Sequence, residues 1–242
     1  MALKHQRLEH PQNGPVHVWF PKKYNPADGI TVFVHGFGDG NPWYVDVAVN
    51  QFSLERKLMG TMNRSALVAI ESKGGKGKPI YWKDLDELTT FLDENIVNTD
   101  IRPWPIERVH AIGHSGAYDN ISLWLKSPKL QQITLLDATY GKTMAFTFWF
   151  LSSETNYLDV ATGKGGSTYK NAAKVFQKIP SYHFWQTIPD HEMDLIDVSR
   201  AGQMVLPYQH MKWVEQDDAM MFFLTRGQMV RDSLRDTNEY GN

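Results

Sequence analysis

Short apolar runs that end abruptly in glycine or polar residues, separated by stretches with helical spacing, constrain this chain more than any other feature. Ile30-Thr-Val-Phe-Val34 stops at His35-Gly36, Ala66-Leu-Val-Ala-Ile70 at Glu71, Val109-His-Ala-Ile112 at Gly113, and Gln131-Gln-Ile-Thr-Leu-Leu136 at Asp137. Apolar runs this short, rich in β-branched residues, read as buried strands. Residues 16–20 read as an extended segment, and 157–161 and 182–186 as further strands. Between them, residues 43–59, 84–96, 116–126 and 169–178 read as helices; in the second, Leu85, Leu88, Leu92 and Ile96 share one face. An amphipathic helix over 211–223 followed by a polar tail closes the chain. Strands alternating with helices predict one α/β domain over residues 1–242, with a mainly parallel central sheet and helices on both faces. In such sheets ligands bind at the carboxyl ends of the strands. His35, Ser115 and Asp137 all follow a predicted strand directly.

Composition excludes several kinds of chemistry. The chain has no cysteine, so disulfides, thiolate catalysis and cysteine–zinc sites are ruled out. Its net charge is −2 and its lysines and arginines are scattered, unlike the basic footprint of a nucleic-acid binder. No stretch is long and apolar enough to span a membrane, and residues 1–8 lack an apolar signal core. The expectation is a soluble protein without a signal peptide, cytoplasmic by default or released by another route. Eight tryptophans and 12% aromatic residues fit either a core or an apolar cleft.

Ile112-Gly113-His114-Ser115-Gly116-Ala117 puts a serine between a strand and a helix, with small residues on either side. Such a bend projects the hydroxyl and points amides at one spot, which a nucleophilic serine needs. A serine here could also simply cap the helix. Asp137 stands at the end of the strand after that helix, where an aspartate can serve as acid or as a helix cap. Gly36 and Gly38 let the loop after residue 34 adopt positive φ.

These residues resemble the α/β-hydrolase superfamily, with Ala117 in place of the last glycine of its Gly-x-Ser-x-Gly elbow. The resemblance spans about residues 15 to 225. A looser likeness joins His-Ser-Gly-Ala-Tyr118 and Leu135-Leu-Asp-Ala-Thr-Tyr-Gly141 to bacterial and phage hydrolases. The resemblance implies Ser115 as nucleophile, an acid after a later strand, and a histidine near the final helix. Asp137 is the acid candidate, with Asp159, which falls inside its strand, as the alternate. His210, just before the final helix, is the base candidate, with His191 as the alternate; His183 reads as packed inside a strand. His35-Gly36-Phe37-Gly38 resembles the family's oxyanion loop. The implied donors are the backbone N–H groups of Phe37 and Gly116, with His35 bracing the loop.

Trp43 and Tyr44, past that loop, and Phe148 and Trp149, in the apolar run 144–151, are candidates to line the substrate cleft. That run reads equally as a lid or cleft insert, over about 142–156, or as a buried helix. Gly141-Lys142-Thr143 lacks the earlier glycine of a phosphate loop, since Leu136 occupies its place. Gly163-Lys-Gly-Gly-Ser-Thr168 has the wrong spacing for one, and Lys73-Gly-Gly-Lys-Gly-Lys78 reads as a basic loop. His191-Glu192-Met193-Asp194 lacks the second histidine of the helical zinc motif. No metal and no organic cofactor is implied. The expected activity is hydrolysis of a carboxylic ester, or related acyl bond, of a small-molecule or polymer substrate through an acyl-enzyme. The alternatives are an amidase or peptidase of the same fold, acting on cell-wall or other peptide, and a non-catalytic binding protein.

Overall fold

The structure, a computed structural model, describes residues 4–37, 44–61, 63–73, 75, 77–96, 106–188 and 199–239, with side chains through residue 233. Nine strands form one sheet: β1 (Lys4–His10), β2 (Gly14–Phe20), β3 (Ile30–Phe37), β4 (Ala66–Lys73), β5 (Val109–His114), β6 (Leu130–Leu136), β7 (Tyr157–Gly163), β8 (His183–Trp185) and β9 (Ala201–Leu206). Their order is β1-β2-β4-β3-β5-β6-β7-β9-β8. β1 pairs antiparallel with β2, and β2 with β4; every other pairing is parallel.

Among the described residues, eight α-helices flank the sheet. α3 (Leu85–Asn95), α4 (Tyr118–Trp124), α5 (Thr143–Leu151) and α6 (Ser167–Phe176) pack on one face, and α1 (Val45–Gln51), α2 (Leu54–Met59), α7 (Lys212–Glu215) and α8 (Asp217–Glu239) on the other. The two-residue period of a strand divides the core between them. Val32 and Val34 of β3 join the first layer, and Phe33 between them joins the second.

Several sequence expectations are corrected. The helix expected over 43–59 is broken into α1 and α2 at Ser53, whose φ is 49°. The polar tail expected after residue 223 is instead the rest of α8, which runs to Glu239. Two of its charged residues, Arg226 and Arg231, are buried because partners meet them: Arg226 pairs with Asp159 at 3.0 Å, and Arg231 bonds Asn63 and Ser65 at 3.0 and 3.2 Å. β1 was not expected because Lys4-His-Gln-Arg-Leu-Glu-His10 is largely exposed and polar, an edge strand whose aliphatic core contact is Leu8. β9 was hidden by Gly202 and Gln203. Gly202 is needed because a Cβ there would stand 2.2 Å from the Trp185 ring and 2.5 Å from Asp159 Oδ1.

The loop after β9 leads into α7, and a buried lysine holds that junction. Lys57 of α2, with no exposed surface, donates to the carbonyls of Val214 (2.7 Å) and Phe52. Among the described residues, no helix is long and apolar enough to cross a membrane.

Candidate active site

The strand ends of β3, β5 and β6 and the loop after β9 meet at one edge of the sheet. β5 turns directly into a 3₁₀ turn, Ser115–Ala117, and then α4. Ser115 adopts φ 58° at the bend, a left-handed conformation that costs a non-glycine residue about 1–2 kcal/mol. The bend is tight because small residues let it pack. A Cβ on Gly113 would meet Ile121 Cδ1 at 2.5 Å, and Ala117 stands just beyond.

The end of β3 presses against this bend. A Cβ on Gly36 would lie 2.5 Å from the Gly116 nitrogen and 2.9 Å from Ser115 Cβ, so only glycine fits. The Phe37 ring covers Gly116, where a Cβ would meet it at 2.2 Å. Lys73, at the end of β4, places its ammonium 4.3 Å from the Phe37 ring centroid and bonds Asp119 Oδ2 at 2.8 Å. The pair ties the β3 terminus to the first turn of α4. Gly38 and Trp43 lie outside the described residues.

Asp137 follows β6 with φ 45°, its N–H donating to the Ala161 carbonyl at 2.7 Å. Its Oδ2 accepts from His210 Nδ1 at 2.6 Å, and its Oδ1 accepts from the Thr168 hydroxyl. Burial alone would raise the Asp137 carboxyl's pKa. The hydrogen bonds from His210 and Thr168, with the His210 charge, outweigh burial and hold it below the ordinary carboxylate range. Because Nδ1 carries the proton toward Asp137, Nε2 of His210 is left as the free lone pair.

His210 is also braced from behind. His114, next to Ser115, stacks on its ring at 4.6 Å and donates from Nε2 to the His210 carbonyl at 3.1 Å. His35 lies 6.1 Å behind His114, between Tyr44 and Phe52. Burial, reinforced by the His210 charge, pushes His114 down to about 3 and His35 down to about 4. Both therefore stay neutral near pH 7 and do not compete for a proton arriving at His210. The Tyr140 hydroxyl lies 3.3 Å from His210 Nδ1, on the open side. Among the described residues, the side-chain hydrogen bonds of His210 run to Asp137 and Tyr140 and none reaches Ser115. Catalytic hydrogen bonds commonly tighten only once substrate is bound.

The structure thus brings Ser115, Asp137, His210, Phe37 and Gly116 to one edge. It separates Asp159 from them: that carboxylate is buried within β7 and occupied by Arg226, which corrects its standing as an alternate acid. His191 lies outside the described residues. His183 of β8 packs on Trp185 at 4.5 Å. Trp149 points into the core with Phe146 and Phe150, so it does not line an open cleft; the outward face of α5 carries Met144, Phe148 and Leu151. Tyr44 faces His35 and donates its hydroxyl to Gln51 at 2.8 Å. Sequence reasoning missed Thr168, His114 and Tyr140. Thr168 belongs to the glycine-rich loop set aside as a failed phosphate motif, and its position just past a strand end was the available signal. No group of three metal-ligating side chains occurs among the described residues.

Glu71 lies beneath the site, level with His35 in the β3–β4 register. Burial pushes its carboxyl up to about 7, against the lowering effect of the Val45 and Tyr44 N–H groups. A carboxyl raised on folding stabilises the protein fully below about 4.5, and that contribution is lost as pH rises through about 7. Glu71→Gln, which keeps the neutral shape, should match the parent in thermal unfolding at pH 4 and melt higher than it at pH 8. Equal melting shifts at both pH values would contradict this.

No protein-family model matches the chain, and a search of curated proteins finds no relative. Solved structures do resemble it. A mutant of the feruloyl esterase module from Clostridium thermocellum, complexed with sinapinate, aligns with TM-score 0.60 and 13% identity over 95% of this chain and 88% of that one. The esterase domain of a Rhodothermus marinus protein aligns with TM-score 0.55 and 14% identity over 98% of this chain and 99% of that one. An alpha-beta serine hydrolase homologue from Coxiella burnetii aligns with TM-score 0.55 and 14% identity over 93% and 97%. The likeness is one of fold: the alternating elements predicted the mainly parallel α/β architecture, and the chain has the α/β-hydrolase fold that the resemblance implied.

Proposed function

We propose that the chain is a serine hydrolase that cleaves a carboxylic ester. The observation that carries the reading is the 2.6 Å bond from His210 to Asp137 at the same sheet edge as Ser115, held at φ 58° on the strand–helix bend. His210 Nε2 takes the proton of Ser115 as Oγ attacks the acyl carbon. Asp137 stabilises the imidazolium that forms, and the Phe37 and Gly116 amides stabilise the oxyanion. The imidazolium then gives its proton to the leaving alkoxide, and an acyl-enzyme remains. Water, deprotonated by the same nitrogen, attacks that ester, and the serine recovers its proton as the acid departs.

The esterase activities named for two of the fold relatives support an ester over an amide as substrate. Tyr140, 44% exposed and with its hydroxyl 3.3 Å from His210 Nδ1, offers aromatic surface for the acyl or alcohol part. Matched p-nitrophenyl ester and p-nitroanilide substrates test the reading. Turnover of the ester with little of the anilide is expected. Turnover confined to the anilide would make the chain an amidase, and turnover of neither by folded protein would favour a binding role.

A further inference from the structure

We propose that the outward face of α5 and α6 is a docking surface for an anionic lipid layer. The proposal goes beyond ester hydrolysis and does not depend on it. Its first component is an apolar stripe. Met144, Phe148 and Leu151 recur at spacings of four and three residues, so they lie on one side of α5, the side turned away from the core. All three are exposed, Phe148 most of all. Tyr140, exposed and beside His210, stands four residues before Met144.

The second component is charge. α6 packs against α5 on the same face of the sheet and buries Ala172, Val175 and Phe176 in the core layer that α5 shares, so the two helices lie side by side. Lys142 and Lys164 stand exposed in the loops that precede these helices, and Lys170, Lys174 and Lys178 stand exposed along α6 and just after it. Between residues 138 and 178 the acids are Glu154, which is exposed, and Asp159, which is buried against Arg226. Among the described residues, none of the five lysines pairs with a carboxylate.

An apolar stripe flanked by unpaired lysines is the pattern of a surface that lies on anionic headgroups, with the apolar side chains reaching the acyl boundary. A second copy of this chain fits less well. A two-fold contact would set the same five lysines of each copy against one another. A polyanion without an apolar phase would gain from the lysines and nothing from Met144, Phe148 and Leu151.

The test is flotation of the full-length chain with vesicles of phosphatidylcholine alone or mixed with phosphatidylglycerol, at low and high salt. Binding should require phosphatidylglycerol and weaken as salt rises. Phe148→Ser with Leu151→Ser, and separately Lys170→Glu with Lys174→Glu, should each weaken binding by about tenfold or more. These side chains are exposed, so thermal unfolding should be unchanged and serves as the folding control. Equal binding to both vesicles, no binding, or full binding by both double variants would overturn the proposal. So would a solution dimer that the serine variant dissolves, which assigns the stripe to a second copy. Binding to heparin beads that the glutamate variant abolishes and the serine variant leaves intact, without vesicle binding, would assign the face to a soluble polyanion.

Discussion

Ser115→Ala is expected to lower kcat by about 10⁴–10⁶-fold on an ester substrate while the protein stays folded. The loss is large because, on the proposed mechanism, no other group can form the acyl-enzyme; what remains is the rate supplied by binding and the oxyanion amides. A companion variant separates chemistry from architecture. Ser115 holds φ 58°, and glycine takes that conformation without strain, so Ser115→Gly should be equally inactive yet more stable by about 1 kcal/mol. Loss of function with a gain in melting temperature is the mark of a residue kept for its chemistry at a cost in stability. A serine that merely capped α4 would behave in the opposite way. Its removal would destabilise, and activity would fall only as far as folding did. The structure gives the Ser115 turn no side-chain cap bond, which already weighs against a capping role.

Asp137→Ala is expected to reduce kcat by about 10⁴-fold with little change in KM. On the proposed mechanism Asp137 holds the His210 proton on Nδ1 and faces the imidazolium formed during attack, so its removal acts on the transition state rather than on substrate binding. Tyr140 can rescue only part of this. Its hydroxyl is 3.3 Å from Nδ1 and carries no charge near pH 7, since burial and the Asp137 carboxylate both raise its pKa. Thr168, which donates to Asp137, would be left without its acceptor. Asp159 provides the contrast. Neutralising it leaves Arg226 buried beside an uncharged partner, which costs about 3–5 kcal/mol and appears as unfolding, not as slow turnover of folded enzyme. A kcat loss in Asp159→Asn without a melting shift, and none in Asp137→Ala, would exchange the two assignments. Steady-state kinetics beside thermal unfolding for both variants decides it.

Much of this arrangement was legible because buried parallel strands write themselves as short apolar runs. Residues 30–34, 66–70, 109–112 and 131–136 all fall within strands, and the residues just past them include those of the candidate site. The tight strand–helix bend at Ser115 was legible because close packing there requires small residues at Gly113, Gly116 and Ala117. What stayed hidden has physical reasons too. β1 is an exposed edge strand with few apolar residues, and β9 carries a glycine and a glutamine because Trp185 and Asp159 crowd it. Asp159 looked eligible as an acid because a sequence shows the carboxylate and not the arginine some seventy residues later that neutralises it. Trp149 and Phe148 are neighbours in sequence, yet one is core and the other surface, since only the helical phase of α5 decides between them. Thr168 and Tyr140 contribute through tertiary contacts, and the local pattern gives for Thr168 only its position after a strand and for Tyr140 nothing.

Intact-mass measurement after treatment with a fluorophosphonate, followed by peptide mapping, tests directly whether Ser115 is an activated nucleophile. One adduct is expected, on Ser115, absent from Ser115→Ala and formed much more slowly in Asp137→Ala. Folded protein that takes no adduct, or takes it on another residue, would contradict it.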